Sequence, residues 1–303
     1  YKRQSLFCTN SAITPDSGGG IVCYNIIQAL KSATLLNSVY CASNVGNLET
    51  RVVYIDPKQY HQPDNPFLYD YFASAFVSDV DIAQFYGAPF RNTVMRLKGT
   101  QIICDIAPHN IEESRREHLS LGGSFPYPHL NDPDLWRFYM GHVILANIVI
   151  VHSKQSAQYL RDKLGFTEEF PIKVIPHGCN LPEEVPPYPE TFTVAHVGVN
   201  GPDKGQIYLI QAWRLFQEQI KQGKLLLAGV GTEVWGQTIE HLGLGCVRDV
   251  NKIYEQCSIY VQPTVTEGFG IPPLEAMAHG RPVIVTEGAG VHELIEDGKE
   301  GFI

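Results

Sequence analysis

The chain predicts an α/β protein built from two doubly wound, parallel-sheet domains. Three observations carry this. Short apolar runs alternate with longer periodic segments through the second half, the pattern of strands followed by crossover helices. Several of those runs end in a glycine-bearing loop that leads into a helix. A proline-rich stretch near the middle separates two halves, each large enough for its own core.

The chain has 303 residues, so two domains of about 150 residues are expected. Hydrophobic content of 44% with 18% charged residues marks a soluble globular protein, and no apolar run approaches the roughly 20 residues of a membrane span. The N-terminal Tyr-Lys-Arg-Gln-Ser-Leu-Phe lacks the apolar core of a secretory signal, so a cytoplasmic location is the expectation. The seven cysteines, at 8, 23, 41, 104, 179, 246 and 257, are odd in number and contain no Cys-x-x-Cys pair, which argues against a disulfide scaffold or structural zinc. A net charge of −9 without a basic stretch argues against a nucleic-acid partner.

In chain order, Leu6–Cys8 reads as a first strand, followed by a loop ending Ser-Gly-Gly-Gly20 and a periodic helix over 21–30. Gly19 and Gly20 either let the backbone approach a phosphate or sugar at a helix start, or make a plain turn. Strands are expected over 51–55, 80–85 and 102–106. The triplet Asp79-Val-Asp81 has the form of a metal-binding Asp-x-Asp, but it stands at the start of a strand, whereas ligands in open α/β sheets bind beyond strand carboxyl ends. It is read as a polar turn. At the end of the third of these strands, His109 is either a functional side chain or a surface loop histidine. Residues 119–134 are dense in Gly, Pro and aromatics and predict a long loop on the acceptor side. A helix over 136–146, a strand over 148–152 and a helix capped by Ser153 follow.

Four prolines fall within 182–189, and the strand–helix pattern restarts behind them, which places the domain boundary near 185. The second half predicts strands at 192–197, 225–228, 258–262 and 283–285, with helices from Gln206, after Gly231, from Pro272 and from Val291. The central stretch is Pro263-Thr-Val-Thr-Glu-Gly-Phe-Gly-Ile-Pro-Pro-Leu-Glu-Ala-Met-Ala-His-Gly280. Gly268 and Gly270 form a bare-backbone loop, and Pro272 and Pro273 suit the first turn of a helix. Amide groups and the positive end of the helix dipole would then hold an anion. Glu267 leaves the loop and Glu275 sits in the first helical turn, so two carboxylates bracket the same point, each able to accept from paired hydroxyls. At a second strand end, Gly198-Val-Asn-Gly-Pro-Asp-Lys-Gly205 puts the charge of Lys204 at the start of a helix. Gly229-Val-Gly231 marks a third.

The string Glu-Gly-Phe-Gly-Ile-Pro-Pro-Leu-Glu-Ala-Met-Ala-x-Gly-x-Pro-Val-Ile resembles the donor-site signature of the retaining, GT-B-fold nucleotide-sugar glycosyltransferases of family four, the glycosyl transferases group 1. The resemblance is close over 190–303 and architectural over 1–185. It implies two Rossmann-like domains facing a cleft, with 1–185 on the acceptor side and 186–303 binding the donor. It also implies transfer of a hexosyl group, mannosyl, glucosyl or similar, from a nucleotide-diphosphate sugar to an acceptor hydroxyl, with retained configuration. Neither metal nor cofactor is expected.

By the same resemblance, Lys204 and the amides of Gly268, Phe269, Gly270 and Ile271 hold the diphosphate, Glu267 binds hydroxyls of the donor sugar, and Glu275 binds the ribose diol. Gly19, Gly20, Val199, Gly229 and Gly231 line the donor site, and Arg248 either flanks the base or is a surface arginine. Glu267, Lys204 and His109 are the implied catalytic residues. The chain departs from the family pattern at two places: Cys104-Asp105 stands where a His-Asp or His-Asn dipeptide is usual, and Val199 stands where an arginine often follows the glycine. It ends at Asp297-Gly-Lys-Glu-Gly-Phe-Ile303, where relatives usually continue to a helix returning to the first domain, so the donor domain is expected to be truncated. The acceptor is a sugar, a glycan, a lipid-linked molecule or a small molecule, with at most peripheral membrane contact. Alternative readings are a sugar-nucleotide epimerase of the same architecture and a non-catalytic nucleotide-sugar-binding protein. A dehydrogenase is disfavoured, because no Gly-x-Gly-x-x-Gly follows the first strand.

Overall fold

The computed structural model describes residues 5–9, 18–33, 38–41, 51–54, 70, 74, 77, 80–87, 90–108, 110–123, 140–236 and 241–303. These form two compact units. The first takes 1–107, 127–151 and 160–174, and the second takes 108–126, 152–159 and 175–303. Among the described residues, no helix is long and apolar enough to cross a membrane.

The first unit holds seven strands among its described residues: β1 (Ser5–Thr9), β2 (Ser38–Cys41), β3 (Arg51–Tyr54), β4 (Ile82–Tyr86), β5 (Gln101–Asp105), β6 (Ile148–Val151) and β7 (Ile172–Val174). They pair in the order β3-β2-β1-β4-β5-β6-β7, every pair parallel. Helix α1 (Gly18–Ser32) packs Cys23 and Ile27 on Phe7 of β1. It starts at Gly18, so the glycines expected as a loop form its first turn instead. Short helices α2 (Arg91–Arg96) and α4 (Gly141–Ile144) complete this unit's described helices. The latter is the described part of the helix expected over 136–146. Helix α5 (Lys154–Leu164) follows Ser153, whose Oγ accepts from the Ser156 amide at 3.0 Å and caps it.

The second unit builds a six-stranded parallel sheet in the order β10-β9-β8-β11-β12-β13. Its strands are β8 (Thr193–Val197), β9 (Lys224–Ala228), β10 (His241–Gly245), β11 (Ile259–Gln262), β12 (Val283–Val285) and β13 (Gly301–Phe302). Residues alternate between its two faces, as strand geometry dictates. Val194, Leu225 and Leu227 pack on Leu209, Ile210 and Trp213 of α6 (Gln206–Ile220). Ala195, Leu226, Ala228 and Tyr260 face the other way, against Ile253 and Tyr254 of α7 (Asn251–Gln256) and Ala276 of α8 (Pro272–Ala278). Burial on both faces explains why β9 reads as an unbroken Leu-Leu-Leu-Ala run.

Several expected elements differ. Helix α3 (Ile111–Ser120) runs into the stretch expected as loop and ends only at Ser120. The segments after Gly231 and at Val291 are single 3-10 turns, Thr232–Trp235 and Gly290–Leu294, not helices. Lys204 does not open α6. It ends a 3-10 turn, Pro202–Lys204, and Gly205, in the left-handed region at φ +69°, separates the two.

Candidate donor site at the carboxyl edge of the second sheet

Strand order in the second sheet reverses between β8 and β11, whose carboxyl ends are where open α/β sheets bind ligands. The loops leaving these two strands carry Lys204 and Glu267. They are tied together by backbone: the Val265 amide donates to the Asp203 carbonyl at 2.8 Å. A Cβ on Gly205 would lie 2.0 Å from the Pro263 carbonyl oxygen, so only glycine permits this approach. The result brings Lys204 Nζ to 2.8 Å from Glu267 Oε1, with both side chains about three-quarters buried (23% and 24% exposed).

Glu267 is held on its other oxygen as well. Gln262, the last residue of β11, donates from Nε2 to Glu267 Oε2 at 2.9 Å and to Thr264 Oγ1 at 2.8 Å. Its amide orientation is set from below, because Tyr260 Oη–H donates to Gln262 Oε1 at 2.7 Å. Burial alone would raise the Glu267 pKa, but the Lys204 charge, its hydrogen bond and the Gln262 donor outweigh burial and hold it below the usual value, so the carboxylate is ionised.

Lys204 stands over a buried polar pair. His196, within β8, directs Nδ1 at the Val261 carbonyl, 3.0 Å away, and Nε2 at Gln206 Nε2, 3.2 Å away. These partners require the tautomer protonated on Nδ1. Burial, reinforced by the nearby Lys204 charge, pushes the His196 pKa down to about 4, so the ring is neutral at physiological pH. Gln206 also donates to the Val199 carbonyl at 2.9 Å and accepts from the Gly201 amide at 3.3 Å. Val199 therefore contributes a fixed carbonyl, while its side chain is exposed.

The loop after β9 docks on this turn. The Asn200 amide donates to the Val230 carbonyl at 2.8 Å, and Gly229, at φ +134°, lies so close to the Gly198 carbonyl that a Cβ would come within 2.0 Å of its oxygen. Gly231 precedes the 3-10 turn that hydrogen-bonds back through Trp235 Nε1 to Asn200 Oδ1 at 2.9 Å.

Beyond Glu267, the carbonyls of residues 267, 268 and 269 are all engaged. Glu267 O accepts from the Gly290 amide at 3.3 Å, Gly268 O from Ser153 Oγ at 2.9 Å and Ser156 Oγ at 3.0 Å, and Phe269 O from the Val291 amide at 2.8 Å. Among the described residues, no acceptor pairs with the amides of Gly268, Phe269 and Gly270. Ile271 then leads into α8, with Pro272 and Pro273 in its first turn as expected and Glu275 beside them. Tyr254 Oη–H donates to Glu275 Oε2 at 2.6 Å.

The sequence-derived residues of the second half thus group around one sheet edge, with one exception. Arg248 is exposed on the loop between β10 and α7, and among the described residues no hydrogen bond or ion pair ties it to the pair. In the first half, Gly19 and Gly20 lie in the first turn of α1, and His109 lies outside the described residues. Cys104 is fully buried in β5 with its Sγ 3.4 Å from the His142 carbonyl, and burial with the adjacent Asp105 raises its thiol pKa, so it is inert packing. Asp81 directly precedes β4 and gives its carbonyl to the Gln101 amide at 3.0 Å, while Asp79 lies outside the described residues.

Sequence reasoning missed Gln262, Gln206 and His196, the buried polar layer under the ion pair. A signal existed for the first. Gln262 is a polar residue closing an apolar strand five positions before a candidate carboxylate.

The chain is similar to known proteins in sequence and in fold. Residues 191–303 match the family described as Glycosyl transferases group 1. EpsD of Bacillus subtilis (strain 168) is 32% identical over 155 residues, 48% of this chain and 35% of that protein. The lipopolysaccharide core biosynthesis mannosyltransferase LpcC of Rhizobium leguminosarum bv. viciae is 29% identical over 169 residues, 47% of each. The chain thus spans less than half the length of these relatives. In fold, it superposes on Anabaena Alr3699/HepE, solved with UDP and glucose, with a TM-score of 0.70 at 19% identity, covering 99% of this chain and 85% of that one. The fold is therefore GT-B, two parallel-sheet α/β units, and residues 191–303 are similar to the glycosyl transferases group 1 family.

Proposed function

We propose that the protein is a retaining glycosyltransferase that moves a hexosyl group from a nucleotide-diphosphate sugar to an acceptor hydroxyl without a metal. The observation that carries this is the Lys204–Glu267 pair at the switch point of the second sheet, beside three successive amides that have no acceptor among the described residues. Departure of a nucleoside diphosphate develops negative charge on the leaving oxygen. A fixed ammonium and oriented N–H groups stabilise that charge more than they stabilise the bound donor, and this lowers the barrier. Glu267, ionised and held on both oxygens, keeps lone pairs for hydroxyls of the donor sugar. Glu275, fixed by Tyr254 on Oε2, offers its other oxygen to the ribose diol.

HepE, solved with UDP and glucose, and LpcC, a mannosyltransferase, support a hexose donor. The acceptor class, a sugar, glycan, lipid-linked or small molecule, is carried by the same reading.

Metal independence follows from assigning the leaving-group charge to Lys204 and the amides. Hydrolysis of UDP-, GDP- and ADP-glucose and of the corresponding mannose donors, followed with and without excess EDTA, tests it. Turnover of at least one donor, unchanged by the chelator, is expected. Loss of turnover that manganese restores would overturn the metal-free account, and the anomer released, read by proton NMR, tests retention.

A further inference from the structure

The proposed site depends on where three peptide planes point. In a trans peptide the C=O and the following N–H point in opposite directions, so fixing a carbonyl fixes the next amide. Here the carbonyls of Glu267, Gly268 and Phe269 are each tethered, and the amides that follow them, Gly268, Phe269 and Gly270, have no acceptor among the described residues.

The outer two tethers are backbone amides of Gly290 and Val291. The middle one is different, because two buried serine hydroxyls converge on a single carbonyl oxygen. Ser153 Oγ lies 2.9 Å from Gly268 O and is already an acceptor for the Ser156 amide, so its proton goes to Gly268. Ser156 Oγ lies 3.0 Å from Gly268 O and 2.9 Å from the Pro108 carbonyl, and shares its one proton between them. The turn bearing these serines is itself anchored. Glu293, in the 290–294 turn, accepts the Lys154 and Gln155 amides on its two carboxylate oxygens at 2.8 Å each. Gly290 closes the arrangement. A Cβ there would meet Gly268 O at 2.5 Å and Ser153 Oγ at 2.7 Å, although its backbone lies outside the left-handed region. Glycine is thus required by proximity to the tethered carbonyl.

We infer that Ser153 and Ser156, with Gly290, are positioning residues that aim the Phe269 amide, the middle of three, at the diphosphate of the donor. The inference rests on the proposed transferase reading. It assigns to two serines from outside the matched family segment a role in binding the phosphates without touching them. Released from the serines, the Gly268–Phe269 peptide can turn, and one of three oriented donors is lost.

The test compares UDP, GDP and ADP with their nucleosides by calorimetry on the wild type, Ser153→Ala, Ser156→Ala, Ser156→Thr and Gly290→Ala, with thermal melting as the folding control. For the diphosphate that binds the wild type, affinity should fall about threefold to tenfold in Ser156→Ala, and more in Ser153→Ala and Gly290→Ala. Ser156→Thr, which keeps the hydroxyl, should retain wild-type affinity. Nucleoside affinity should be unchanged in all of them, which a general loss of stability would not produce. Equal diphosphate affinity in folded Ser153→Ala and Ser156→Ala would overturn the positioning role alone. Parallel loss of nucleoside and diphosphate binding would also overturn it, since the effect would then be structural. A wild type that binds none of the three diphosphates would sink the transferase reading and this inference with it.

Discussion

Replacing Lys204 with alanine should lower kcat/KM for sugar transfer by about tenfold to more than a hundredfold, the loss of one charge-assisted contact of roughly 1.5–3 kcal/mol in the transition state. The cation lies 2.8 Å from Glu267 and is the side-chain charge we assign to the leaving diphosphate. The same substitution strips a largely buried carboxylate of its counter-ion. Glu267 then keeps only neutral hydrogen-bond donors, burial dominates, and its pKa should rise.

The sign of the stability effect follows. In the wild type, the folded-state pKa of Glu267 lies below its ordinary value of 4.5, so the ion pair contributes stability above that pH and loses it as pH falls through the folded value. The difference in melting temperature between wild type and Lys204→Ala should therefore be full at neutral pH and shrink on acidification, as Glu267 is protonated first in the variant, where its pKa is raised, and then in the wild type, where it is lowered. A difference that grows on acidification would contradict the assignment of charge to this pair. Lys204→Arg should recover only part of the activity, since a planar guanidinium does not reproduce the ammonium's single-point contact.

Glu267→Gln should act with opposite signs on two ligands. The carboxamide is nearly isosteric and can still meet Gln262, so the fold should survive. The sugar, however, loses an ionised acceptor whose hydrogen bonds are worth roughly 1.5–3 kcal/mol each, and kcat/KM for transfer should fall by about a hundredfold or more. At the same time Lys204 loses its counter-ion, so a free nucleoside diphosphate should bind at least as tightly as to the wild type. Steady-state kinetics and calorimetry on one preparation separate the two effects. Weakened diphosphate binding together with unchanged transfer would reverse the roles assigned to the two residues.

The central site was legible because its determinants are local. Gly268, Gly270, Pro272 and Glu275 announce a loop and a helix start through backbone chemistry alone, and α8 begins at Pro272. The long apolar strands β8, β9 and β11 read clearly for the same reason. What escaped was written in other ways. Helix α3 has no apolar stripe, since its buried residues are Ser114 and His118, and periodicity cannot find it. Its signal was the cap: Asn110 accepts the Glu113 amide at 3.2 Å, the Asn-x-x-Glu spacing of a capping motif. Strand β10 contains Gly243 and Gly245 and looks like a turn, yet Gly243 is buried where a Cβ would lie 2.2 Å from the Thr232 carbonyl oxygen. Lys204 was assigned to the start of the helix from Gln206, whereas Gly205, at positive φ, separates that helix from the 3-10 turn that Lys204 ends. The serines on Gly268 lie more than 110 positions away in sequence, and no local pattern links them to the loop.

The most direct test is calorimetric titration of UDP, GDP and ADP into the wild type, Lys204→Ala and Glu267→Gln. The account predicts that at least one diphosphate binds the wild type, binds Lys204→Ala at least about tenfold more weakly, and binds Glu267→Gln as well or better. Wild-type binding that Lys204→Ala leaves untouched, or no binding of any of the three, would contradict a diphosphate site at the carboxyl edge of the second sheet.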